Sequence, residues 1–130
     1  MKKRISIRAQ QGQTITEFTI VLPILVLLLF GVIQFGIAFN NYLALTDAAR
    51  AGARKAAVSR FSSNPSGATT TAVRAAAADL KLSNLAVSVS SSWRQGEDVT
   101  VSATYPYSIS LLGLIVKSGR LNTTVTERVE

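Results

Sequence analysis

A chain of 130 residues with a net charge of +7 and neither cysteine nor histidine has room for one membrane helix and one small domain. The missing residue types remove disulfides, thiolate metal sites and the commonest general base. The acids Glu17, Asp47, Asp79, Glu97, Asp98, Glu127 and Glu130 show no paired-carboxylate or metal-ligand spacing. An enzyme, a metal and a cofactor are therefore not expected, and neither is a nucleic-acid partner: four of the fourteen basic residues fall in the first eight positions, and the others lack the aromatic interleaving of a single-strand binder.

Residues 1–12 read as a basic cytoplasmic leader, with Lys2, Lys3, Arg4 and Arg8 ahead of a closing Gly12. Residues 13–39 read as a hydrophobic stem. After Glu17 no charge appears until Asp47. Roughly 20 apolar residues cross a bilayer as a helix, so Phe18–Phe39 is long enough. The block from Ile20 to Phe30 is too continuously apolar for an amphipathic core helix. Pro23 lies inside it and removes a backbone hydrogen bond, which membrane helices tolerate. Gly31 and Gly36 thin the far end, where small residues permit close helix approach.

Residues 40–61 continue the helix beyond the membrane, because alanine is the strongest helix former. A helix from about Thr14 to Phe61 is predicted, about 70 Å long at ~1.5 Å per residue. Asp47, Arg50 and Arg54 share one face. Ala48, Gly52 and Ala56 form a small-residue row, with Ala49, Ala53 and Ala57 beside it. Two readings stand: plain helix propensity, or close packing of these rows on a sheet or a neighbouring stem.

Residues 62–130 read as a small α+β domain. Ser62–Gly67 is a breaker cluster, read as a loop, and Thr69–Leu82 is a second, shorter helix. From Leu85 the period changes to two: Leu85, Val87 and Val89 alternate with small polar residues, as in a strand. Arg94–Glu97 is a turn, and Val99, Val101 and Ala103 carry a second strand to Tyr105-Pro106. Leu111–Val116 is an apolar stretch, read as a loop or short helix covering the core. Leu121–Val129 is a third strand. The fold expected is α+β: a long N-terminal helix packed on a three-stranded antiparallel sheet with a second short helix.

The membrane boundary is where chemistry is expected, done to this chain rather than by it. Gly12 places no side chain on the acyl side of the Gly12–Gln13 bond, so a peptidase can approach the backbone closely. Glu17 would be the fifth residue of the product. Its carboxylate is placed to pair with the new α-amino group of a neighbouring stem, although both charges carry a desolvation cost. The plain alternative is that Glu17 snorkels at the interface. Lysine and arginine near the two ends of the span nearly balance. The leader's charges lie closer to the apolar block, which favours a cytoplasmic N-terminus and an outer C-terminal domain. The competing reading is a secretory signal cut after Gly36-Ile37-Ala38, against which stand the length of the block and Glu17.

Gly12 to Phe18 resembles the type IVb prepilin processing motif, a glycine, four residues, then Glu-Phe. Gln11 to Val58 resembles the TadE-like family of tight-adherence (Flp) pilus systems, through Gly12-Gln13, Glu17-Phe18, Leu22-Pro23, Phe35-Gly36 and Ala48-Ala49-Arg50-Ala51-Gly52-Ala53-Arg54. Val99-Thr100-Val101, Tyr105-Pro106, Leu111-Leu112-Gly113-Leu114 and Arg128-Val129-Glu130 add a moderate likeness at the end, and residues 59–98 add hardly any. The resemblance implies a minor pilin or pseudopilin in the bacterial cytoplasmic membrane. It implies cleavage at Gly12–Gln13 by a prepilin peptidase, with Glu17 and Phe18 in the processing and assembly motif. The implied partners are that peptidase, other pilins or pseudopilins, the assembly platform and membrane lipid. The alternative is an uncleaved, single-pass anchored surface module with a binding or adhesion role.

Overall fold

The structure, a computed structural model, describes residues 7–130. Lys2, Lys3 and Arg4 of the leader lie outside the described residues. The first helix, α1, runs unbroken over Ile7–Ala57, about 76 Å at ~1.5 Å per residue, and passes through Pro23. It is long and apolar enough, by length and composition, to cross a membrane. From Gly12 to Phe30 every residue is exposed.

α1 stops at Ala57 rather than at Phe61 because its last carbonyls find other donors. The Ser59 hydroxyl donates to the Lys55 carbonyl. The Ser59 amide donates to Ala56 at 3.0 Å, and the Glu130 amide to Ala57 at 3.0 Å. Arg54 and Lys55 occupy the last turn, where cations oppose the helix dipole.

The second helix, α2, spans Pro65–Ala76, earlier than the expected Thr69–Leu82. Asn64 caps it, its side chain accepting from the Gly67 amide at 2.8 Å, and Pro65 fills the first turn, where a missing N–H costs nothing. The breaker cluster is thus half loop and half helix start. A turn carries the buried Ala77 and Leu80, and a short 3-10 turn at Leu82–Asn84 leads into the sheet.

Three antiparallel strands follow in the order β1-β2-β3: β1 Ala86–Ser91, β2 Asp98–Leu111 and β3 Leu114–Arg128. The α+β architecture is as expected. β1 pairs with β2 only from Ala86↔Thr104 to Ser91↔Val99. Beyond Thr104, β2 and β3 pair with each other alone, down to Leu111↔Leu114. The expected loop or helix at Leu111–Val116 is instead the end of this two-stranded arm, and it does not cover the core. Leu111 is half-buried, and Leu112, Leu114, Ile115 and Val116 are exposed.

Along β2 the alternation is clean. Val99, Val101, Ala103 and Tyr105 point inward and are buried. Thr100, Ser102 and their partners Thr126 and Thr124 face out, with cross-strand hydroxyl contacts of 3.2 and 3.0 Å. The core closes on Leu45, Ala48, Ala49, Ala53 and Ala56 of α1 and on Val73, Leu80, Leu85 and Val129. These α1 positions recur at helical spacing, and Asp47, Arg50 and Arg54 are exposed on the opposite side.

Candidate functional site

The candidate site is the N-terminal end of the stem, Gly12–Phe18, immediately before the continuous apolar block and exposed throughout. Gly12 and Gln13 lie within α1, so the peptide bond between them is helical. The Thr16 hydroxyl donates to the Gly12 carbonyl at 2.9 Å, and one turn on, the Thr19 hydroxyl donates to the Ile15 carbonyl at 2.8 Å. These bonds give the backbone carbonyls a second donor in a segment that is exposed among the described residues. Gln13 reaches along the same face: its Nε2 donates to Glu17 Oε1 at 2.9 Å. Glu17 and Phe18 are both exposed. The structure therefore brings Gln13 and Glu17 together, with Gly12 next to Gln13 and Phe18 next to Glu17 along the helix.

Among the described residues, no packing contact requires glycine at position 12. A Cβ built there meets nothing within 4 Å among the described residues, and the same holds for Gly31 and Gly36. Each glycine inside a helix costs about 1 kcal/mol relative to alanine.

The packing residues behave differently. Ala48, Gly52 and Ala56 are all buried, against α2 and the sheet. A Cβ at Gly52 would collide with Cγ2 of Val73 and lie 3.6 Å from Cγ1 of Val101. The small row thus lets α1 approach α2 and β2 at backbone distance, while the second row, Ala49, Ala53 and Ala57, is buried beside it.

One feature escaped sequence reasoning. Below the core the β2–β3 arm runs alongside the stem and leaves a cleft of about 560 Å³. Phe35, Phe39 and Tyr42 form one wall, and Tyr107, Lys117 and Arg120 the other. Phe35 and Phe39 stack at 6.3 Å between centroids. On the arm, the Tyr107 ring lies over Gly119, where a Cβ would come within 2.9 Å of it. The signal was the pair Tyr105-Pro106-Tyr107 and Lys117-Ser118-Gly119-Arg120, which carry strand-compatible residues past the point where the core alternation ends. Among the described residues no group of three or more His, Cys, Asp or Glu gathers to hold a metal ion.

Residues 12–54 match the model of a family described as TadE-like protein. The match covers the stem and its alanine-arginine block and stops short of α2 and the sheet, and over that stretch it bears out the resemblance read from Gln11 to Val58. No curated protein and no solved structure matches the chain.

Proposed function

We propose that this TadE-like protein is a minor pilin or pseudopilin of a tight-adherence pilus or a related secretion system. In this reading a prepilin peptidase cuts Gly12–Gln13 at the cytoplasmic face, and the stem then packs among other pilin stems. The observation that carries it is the unexplained glycine. Gly12 lowers helix stability, has no described neighbour within 4 Å of where a Cβ would stand, and stands immediately before the Gln13–Glu17 pair at the start of the family match. A peptidase that must reach the Gly12 carbonyl gains from both properties, since the local helix opens easily and no side chain obstructs the bond. The role is one of structure and assembly, not catalysis. The C-terminal α+β domain lies outside the cytoplasmic membrane, and the partners are the peptidase, other pilins and the assembly platform.

A second reading keeps the helix intact through Gly12, as a single-pass anchor for a surface binding module. The unbroken helix Ile7–Ala57 favours it. The intact mass of the membrane-extracted chain, expressed with and without its cognate prepilin peptidase, separates the two. Mass is preferable to N-terminal sequencing because a new N-terminal glutamine cyclises. A peptidase-dependent product beginning at Gln13, abolished by Gly12→Leu, is the expected result. A full-length chain beside an active peptidase would leave only the anchor, and a product beginning at Phe39 would make the domain a secreted one.

A further inference from the structure

The end of the β2–β3 arm lies level with the stem's apolar run. Leu111 shares a shallow cleft with Leu27, Leu28, Gly31 and Val32 of α1. These four residues sit well inside Phe18–Phe39, so if that segment occupies hydrocarbon, Leu111 occupies it too. Leu112, Leu114, Ile115 and Val116 follow at the tip, 63–75% exposed among the described residues.

Residue chemistry along the arm changes at the right height. Tyr107, Lys117 and Arg120 stand opposite Phe39 and Tyr42, where the apolar run gives way to Asn40-Asn41. Tyrosine and snorkelling cations are what a headgroup region takes. Everything nearer the tip than Lys117 is apolar except Ser110 and Gly113.

The turn adds an independent observation. Leu112 and Gly113 have φ of 50° and 85°, the two left-handed positions of a tight hairpin turn. Asparagine, aspartate or glycine suits the first of them, and a branched apolar residue is strained there. Local geometry thus argues against leucine at a position where its side chain is 70% exposed. In water that residue is disfavoured twice over. In hydrocarbon its exposure becomes favourable.

We infer that the tip of the β2–β3 arm, Leu111–Val116, inserts into the outer leaflet of the membrane beside the stem, with Lys117 and Arg120 at the level of anionic lipid phosphates. The domain is then held by two elements, a spanning helix and a dipping hairpin, which fix its rotation about the stem axis. The arm has two open edges, whose outward N–H and C=O groups carry a cost in hydrocarbon, so insertion requires that the stem or interfacial water satisfy them. The inference rests on the reading that the stem crosses the membrane, and the test separates the two.

Because the chain lacks cysteine, single cysteines at Leu114, at Val26 in the stem and at Ser88 on the exposed outer side of β1 can each carry an environment-sensitive fluorophore. The full chain is reconstituted in vesicles of phosphatidylcholine and phosphatidylglycerol containing lipid with a nitroxide on its acyl chain. The Leu114 label is expected to lose intensity about twofold or more, as the Val26 label does within the hydrocarbon core, while the Ser88 label stays unchanged. Leu112→Asn, which suits the turn better, is expected to reduce quenching at Leu114 and leave Val26 unaffected. A Leu114 label that behaves like Ser88 while Val26 is quenched would overturn the insertion alone. Quenching at neither Leu114 nor Val26 would overturn the membrane-spanning stem along with it. Protection of Leu114 from aqueous iodide that grows with protein-to-lipid ratio, without lipid quenching, would assign the tip to a second copy and overturn the inference.

Discussion

Gly52→Ala sets two effects of opposite sign against each other. Gly52 lies within α1, where exchanging glycine for alanine favours the helix by about 1 kcal/mol. The added methyl, however, would collide with Cγ2 of Val73 and press on Val101. Val73 is fully buried and β-branched, so its methyl has little freedom to swing aside. Overpacking of this kind costs about 1–3 kcal/mol. Packing wins, and a net loss of about 1 kcal/mol is expected, the difference of the two terms. Val73→Ala alone removes two methyl groups, about 1.5 kcal/mol of transfer free energy before any cavity cost. In the double variant the new methyl at position 52 fills part of that cavity, so the pair is expected to be more stable than Val73→Ala and to show a coupling of about 1 kcal/mol or more. Urea unfolding of the full chain in detergent micelles reads these differences through Trp93, the one tryptophan, which packs against the core. A Gly52→Ala midpoint at or above wild type, or strict additivity in the cycle, would refute the close-approach argument.

Asn64→Ala removes the cap of α2 and is expected to cost about 1 kcal/mol in the same assay; an unchanged midpoint would mean that the Asn64–Gly67 bond contributes nothing. Asp47→Asn breaks the exposed 3.5 Å ion pair with Arg50 and is expected to change stability by less than about 0.5 kcal/mol, so a larger loss in low salt would point to a partner for Asp47 outside this chain. Glu17→Gln keeps an acceptor for Gln13 but removes the charge. If the carboxylate pairs with a neighbour's new α-amino group, peptidase cleavage should persist while crosslinking between stems falls about tenfold, the equivalent of roughly 1.4 kcal/mol; unchanged crosslinking would leave Glu17 an interfacial residue only.

Much of this fold was legible because its signals were uncontested. The stem announces itself by the absence of charge between Glu17 and Asp47, and the strands by the inward series Val99, Val101, Ala103. Boundaries were harder, because they depend on contacts that periodicity does not encode. The end of α1 is set by Ser59 and by the distant Glu130 amide. The start of α2 was hidden in Asn64-Pro65, a pair that both breaks one element and begins another. The largest departure was Leu111–Val116. An apolar run beside a sheet suggested a cover for the core, and Leu112-Gly113 lacks the asparagine or aspartate that advertises a hairpin turn. Its alternation disappears because Leu112 to Val116 are exposed whichever face of the arm they occupy. The candidate processing residues were legible as a motif, whereas the lack of any contact for a Cβ at Gly12 required coordinates.

The arm and the stem are two measuring sticks laid side by side with different graduations. From Val101 to Leu111 and from Gly52 back to Leu28 both cover roughly 35 Å, at about 3.3 Å per strand residue and 1.5 Å per helix residue. Lengthening the arm by one residue on each strand reverses which side chains meet the stem, so the arm can change only by pairs, in steps of about 6.6 Å. A full helical turn of the stem is about 5.4 Å. The two increments nearly match, so the reach of the arm relative to the stem is quantised. A change of one step in the arm is compensated by about one turn of helix, and intermediate lengths rotate the domain out of register with its own support.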